Sequence, residues 1–307
     1  MNVQLSSSEE SRLSSRPDDL EIDIEAADQF DEAVASLKPP RLLYLATEPR
    51  ALLEYGWYLQ SLVWLRTLPK GDGHPVLVLP GFTTGDSATR ALRRFLRGRG
   101  YKAYGWLQGL NLGLNDHLEV RMIRRLRDLY YRHGRRVSIV GWSLGGIYAR
   151  ELARLHPDFI RQVITLGSPF NFHPRANHAW RLYERLSDEA IEAQAGRLDG
   201  LEKPLAVPSS AVFTRTDGIV AWQCCLQETG EQAENIEIYG SHCGLGHNPM
   251  ALYVIADRLA QAADEWAPFD RSGMRNLFFR DRHLEIPSGI RKSLDRERQR
   301  ESLPQPA

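Results

Sequence analysis

The stretch that most constrains this 307-residue chain runs from Arg136 to Gly146. Val137-Ser138-Ile139-Val140 is a short, β-branched run of the kind that forms a buried strand. From Gly145 to Leu155 the pattern is helical, with small residues on the first turn. Between the two sits G-x-S-x-G, as Gly141, Trp142, Ser143, Leu144 and Gly145. A strand that turns directly into a helix holds its central residue on a sharp corner with the side chain exposed, and glycines two before and two after leave room for the crossing backbones. A glycine-rich turn is the plain alternative. The strand before and the helix after favour a nucleophile corner, with Ser143 as candidate nucleophile.

Similar alternation extends along the chain. Pro75 to Phe82 is a buried-type strand ending in Pro80-Gly81, and Asp86 or Ser87 is placed to cap the helix that follows. Tyr101 to Trp106 is a second strand, leading to the glycine-rich loop Gly109–Gly113. A helix is expected from about Asn115 to His133, with Leu118, Met122, Leu126 and Leu129 on one stripe and arginines on the other. Strands are further expected over Val163–Phe170, Ser210–Phe213 and Asn235–Tyr239, and a helix over about Met250–Ala262. Strands alternating with helices at this spacing imply right-handed crossovers and a mostly parallel α/β sheet covered on both faces. In such sheets the site lies beyond the carboxyl ends of the strands. Residues 171–206 interrupt the rhythm and read as a helical cap or lid, with an ordinary surface excursion as the alternative.

The ends have a different character. Residues 1–34 carry ten acids against Arg12 and Arg16, and 271–307 carry nine bases against five acids, so the zero formal net charge conceals an asymmetry. The expected organisation is an acidic, disordered segment over 1–40, an α/β domain over 41–270 and a basic tail over 271–307. No recognition module accompanies the arginines, which argues against nucleic-acid binding. Cys224, Cys225 and Cys243 have neither disulfide nor metal-ligand spacing, which points to a reduced protein without a metal. No secretory leader is evident, so a cytoplasmic location is expected. Leu42–Leu68 is strongly apolar but interrupted by Glu54, Gln60 and Arg66, too broken to span a bilayer. A helix packed on the domain surface is expected there, and peripheral membrane contact through this stretch and the arginine face stays open.

A serine hydroxyl needs a base to take its proton, and the base needs an acid to orient it. Thr216-Asp217-Gly218 closes one strand, and Gly240-Ser241-His242-Cys243 follows the last. Asp217 would hold the imidazole of His242, and His242 would activate Ser143; His247 is a less direct alternative. The amides of Phe82 and Leu144 are candidate donors to an oxyanion. Each residue also has a structural reading: Asp217 as an Asx turn, the histidines as loop residues, Cys243 as packing. Their joint order after the right strands favours the catalytic one.

Leu77-Val78-Leu79-Pro80-Gly81-Phe82, Gly141 to Gly146, Thr216 to Val220 and Gly240 to Leu245 together resemble the α/β-hydrolase superfamily, specifically its bacterial lipase- and esterase-like branch. The resemblance covers roughly residues 70–267. It implies a serine hydrolase of carboxylic esters, lipid or small-molecule, with no cofactor or metal, and supports His242 as the base. Many relatives have His-Gly where this chain has Pro80-Gly81; the donor there is a backbone amide, so the difference touches loop shape. Acyl transfer from the same acyl-enzyme and a silent hydrolase-fold binding module remain the alternatives.

Overall fold

Runs of branched apolar residues become central strands here. β1 (Pro75–Leu79), β3 (Val137–Trp142), β4 (Ile160–Leu166), β5 (Ser209–Phe213) and β6 (Ala233–Glu237) are buried at every residue, and β2 (Lys102–Gly105) lies at one edge. The six strands pair parallel throughout in the order β2-β1-β3-β4-β5-β6. This computed structural model describes residues 39–113, 115–171, 177–178, 183, 200–263 and 265–279, all within one unit running from Lys38 to Arg282. The terminal charged segments and most of the expected cap over 171–206 lie outside the described residues.

Parallel strands need crossovers, and these cover both faces of the sheet. On one face α4 (Asp116–His133) and α5 (Leu144–Leu155) pack on Leu77, Leu79, Ile139 and Val163. The expected stripe of Leu118, Met122, Leu126 and Leu129 is the buried side of α4. On the other face α2 (Ala51–Leu65), α3 (Arg90–Gly98) and α6 (Pro249–Ala260) pack on Val76, Val78, Val140 and Ile164. A short helix α1 (Leu42–Ala46) and a 3-10 turn (Glu48–Arg50) lead into α2. Asn115 and Asn248 cap α4 and α6 by accepting from the amides of Leu118 and Met250.

Three local expectations are corrected. Asp86 does not cap α3, whose N-cap is Thr89 without a side-chain bond. Its carboxylate instead accepts the amides of Trp106 and Leu107, each at 3.1 Å, and so ties the loop after β1 to the end of β2. Strand β4 begins at Ile160 rather than Val163, because Arg161 is buried beside Asp72 and so continues the strand in spite of its charge. Strand β6 begins at Ala233, two residues early, because Glu234 is buried against Arg258 and Ser210.

At the amino ends of the strands lies a second Asp–His–Ser chain, its histidine and serine buried and its Asp72 partly exposed. His74 Nδ1 lies 2.5 Å from Asp72, and Nε2 lies 2.8 Å from the hydroxyl of Ser138. His74 and Ser138 are both 0 % exposed, which leaves no room for a substrate. Burial, aided by the Arg161 charge, holds His74 down to about 4 despite Asp72. A histidine with a lowered folded value stabilises the fold above the unfolded value of about 6.5, and that contribution is lost as pH falls toward 4. Urea unfolding at pH 7 and pH 4.5 should therefore show a loss of about 2–3 kcal/mol from this residue. In His74→Gln the acid-dependent drop should shrink by that amount; an unchanged slope would refute the assignment.

Candidate active site

The corner after β3 is as tight as the sequence requires. Ser143 sits at φ 52°, ψ −123°, a conformation that a residue with a side chain adopts only when its surroundings force it. A Cβ on Gly141 would come within 2.4 Å of the Gly145 carbonyl oxygen, and one on Gly145 within 2.5 Å of the Leu79 oxygen. The two outer glycines are thus dictated by backbone crossing itself.

The loops after β5 and β6 converge on Ser143. His242 Nε2 lies 3.0 Å from Ser143 Oγ, and His242 Nδ1 lies 2.6 Å from Asp217 Oδ2. Asp217 uses its other oxygen to accept the amides of Ile219 at 2.8 Å and Val220 at 2.7 Å. The turn role and the partner role therefore coexist, one on each carboxylate oxygen. Burial would lower the pKa of His242, but the charge and hydrogen bond of Asp217, with help from Glu48, outweigh it and raise it. His247 is elsewhere: its Nε2 lies 3.0 Å from the Ala51 carbonyl, with Tyr55 edge-on. Burial and the Glu48 charge push the Cys243 thiol up to about 12, which suits a packing residue and not a nucleophile.

Phe82 and Leu144 supply amides beside this chain. Leu144 opens α5, so its N–H has no partner within the helix. Gly81 brings the loop after β1 against the corner, where an added Cβ would lie 3.2 Å from the Ser143 Cβ. That loop is fastened by a residue whose role the sequence did not reveal. Asn111, fully buried in the glycine-rich loop, donates from its side chain to Pro80 O at 2.9 Å. Its backbone exchanges bonds with Thr83 and Thr84 at 2.7 and 2.8 Å, and its Oδ1 accepts from Tyr148. Tyr183, from the interrupted stretch, packs its ring 5.3 Å from that of Phe82.

The larger omission is the segment before β1. Glu48, 6 % exposed, accepts the amide of Gly218 at 2.8 Å and that of His242 at 3.0 Å on one oxygen, and that of Cys243 at 2.9 Å on the other. Burial raises its pKa, but these three N–H donors outweigh it and the carboxyl stays below its ordinary value. Glu54 accepts from Ser241 N at 2.7 Å, and Arg50 donates to the carbonyls of Thr216 at 2.6 Å and Gly240 at 3.0 Å. One short segment thus binds the acid loop to the histidine loop. An acid within an apolar run was the available hint; its partners lie 170 to 195 residues away.

In Glu48→Gln an amide cannot accept all three N–H groups, so the histidine loop should loosen and its amides exchange faster with solvent. Removing the negative charge should also lower the pKa of His242, so its imidazole NMR titration should move to lower pH. Faster exchange with an unmoved titration would limit Glu48 to a purely structural part.

Among the described residues no group of three His, Cys, Asp or Glu side chains could hold a metal ion. The family model described as "PGAP1-like alpha/beta domain" matches residues 109–210. Pimeloyl-[acyl-carrier protein] methyl ester esterases of two Vibrio vulnificus strains, YJ016 and CMCP6, are 26 % and 24 % identical over 137 residues. The match covers 43 % of this chain and 41 % of each relative, so it spans about two-fifths of their length. Among solved structures, Aspergillus fumigatus lipase B aligns at a TM-score of 0.49 and 17 % identity over 63 % of this chain and 53 % of its own. The mature form of Bacillus licheniformis lipase BlEst2 aligns at 0.47 and 16 %, over 63 % and 94 %. With its parallel six-stranded sheet, its strand–corner–helix at Ser143 and this central PGAP1-like stretch, the chain is a protein of the α/β-hydrolase fold.

Proposed function

We propose that the protein is a serine hydrolase of carboxylic esters that works through an acyl-Ser143 intermediate. The observation that carries this reading is the unbroken chain from Ser143 Oγ through His242 to Asp217, at 3.0 and 2.6 Å. The esterase names of the distant Vibrio relatives agree with it. His242 takes the proton of Ser143 as Oγ attacks the ester carbonyl. The oxyanion that forms is met by the amides of Phe82 and Leu144, a reading supported by the open helix N-terminus at Leu144 and by the close approach of Gly81 to Ser143. Collapse breaks the bond to the alcohol oxygen, which leaves with the proton from His242. Water then attacks the acyl-serine, gives its proton to His242 and releases the acid, and the proton returns to Ser143. Asp217 keeps Nδ1 protonated throughout and stabilises the imidazolium. The substrate class is a lipid or small-molecule carboxylic ester.

Reaction of the full chain with a fluorophosphonate, followed by peptide mass mapping, tests the reading without the natural substrate. The expected adduct is a single one on the peptide bearing Ser143. Folded protein that stays unmodified would overturn it. Because His242 must be neutral to act and its pKa is raised, the acid limb of ester hydrolysis should lie above about 6.5.

A further inference from the structure

An ordinary surface helix turns a polar face to water, and α2 does not. Glu54, Tyr58 and Leu65 form its buried side. At 3.6 residues per turn, Leu52, Leu53, Trp57, Leu59, Val63 and Trp64 fan over about half of the circumference, with Gln60 as the polar side chain in that arc. Leu52, Leu53 and Val63 are 78 %, 77 % and 75 % exposed. Leu42 and Leu43 of α1, and Met274 and Leu277 of the 3-10 turn Gly273–Leu277, are likewise exposed. Exposed apolar surface of this extent marks a place of contact.

The charges around it select the partner. Both acids of this segment, Glu48 and Glu54, are turned inward and spent on the loops that hold Asp217 and His242. Arg50 is likewise turned inward, to the carbonyls of Thr216 and Gly240, but three other arginines beside α2 face outward. Arg66, Arg90 and Arg94 are exposed, have no acidic partner among the described residues, and line a groove of about 790 Å³ whose other wall is Leu59 and Leu62. On the opposite side of α2, Trp57, Trp64, Met250, Tyr253 and Phe278 line a second groove of about 650 Å³. Apolar side chains and tryptophans bordered by uncompensated arginines match a surface of acyl chains beneath anionic headgroups. Among the described residues no helix is long and apolar enough to cross a membrane.

We propose that α1 and α2 form a docking face for an anionic lipid bilayer, on which the protein rests with the loops of Asp217 and His242 held by the inner side of the same segment. The inference concerns binding and stands apart from the reaction. The test is flotation of the full chain with phosphatidylcholine vesicles, with and without phosphatidylglycerol, at low and high salt. The chain should float with the anionic vesicles at low salt, and salt should weaken it. Leu53→Glu/Val63→Glu, both fully outward, should reduce the bound fraction about tenfold or more while leaving hydrolysis of a soluble short-chain ester unchanged. Arg90→Gln/Arg94→Gln should reduce binding to anionic vesicles and leave the small zwitterionic binding as it was. No flotation of folded native protein, or equal flotation of the glutamate variant, would overturn the proposal. So would a native dimer that does not bind vesicles and that the glutamate variant makes monomeric, because a second copy would then cover the face.

Discussion

Ser143→Ala should lower kcat/KM for a short-chain chromogenic ester by about 10⁴-fold or more and abolish fluorophosphonate labelling. Both losses have one cause: the hydroxyl within hydrogen-bonding distance of His242 Nε2 is that of Ser143. Stability should change little, or rise slightly, because alanine suits the strained φ of 52° no worse than serine does. Thermal melting with the kinetics checks this pair of outcomes. Retained turnover in a folded variant would remove Ser143 from the mechanism.

Asp217→Asn should cost about 10³- to 10⁴-fold in kcat. The asparagine can keep the turn, since its carbonyl oxygen still accepts the amides of Ile219 and Val220. Its amide nitrogen then faces His242 Nδ1 as a donor, so the ring takes its proton on Nε2 and cannot receive one from Ser143. The charge that raises His242 is also gone, and the acid limb should move below its native position. Because the three groups act as a unit, Ser143→Ala/Asp217→Asn should be little worse than Ser143→Ala alone. Stopped-flow ester cleavage with a matched unfolding curve separates this from collapse of the turn. A loss below tenfold in a folded variant would assign the orienting role elsewhere, with the buried carboxylate of Glu48 the next group along the chain.

The legibility of the sequence depended on where each residue's partners lie. Gly141 and Gly145 could be placed because the constraint they satisfy is local: a strand crosses a helix within five residues. The apolar stripe of α4 and the buried runs of β1, β3 and β5 are likewise local periodicities. Charged residues with distant partners are not legible in this way. Arg161 reads as a loop residue until Asp72 is beside it, and Glu234 until Arg258 is. Asp86 reads as a helix cap because Trp106, its true partner, comes twenty residues later.

By itself the sequence determined the alternation of strands and helices, the corner at Ser143, and the order in which Ser143, Asp217 and His242 follow their strands. These are consequences of backbone sterics and of patterns a few residues long. Tertiary structure alone decided that His242 and not His247 reaches Ser143, and that Asn111 fastens the loop carrying Phe82. It also decided that Glu48, Arg50 and Glu54 bind the acid and histidine loops together, leaving the apolar side of α2 turned outward. Each of these is a contact between groups far apart in the chain, and only the packing of the sheet and its helices brings them within hydrogen-bonding distance.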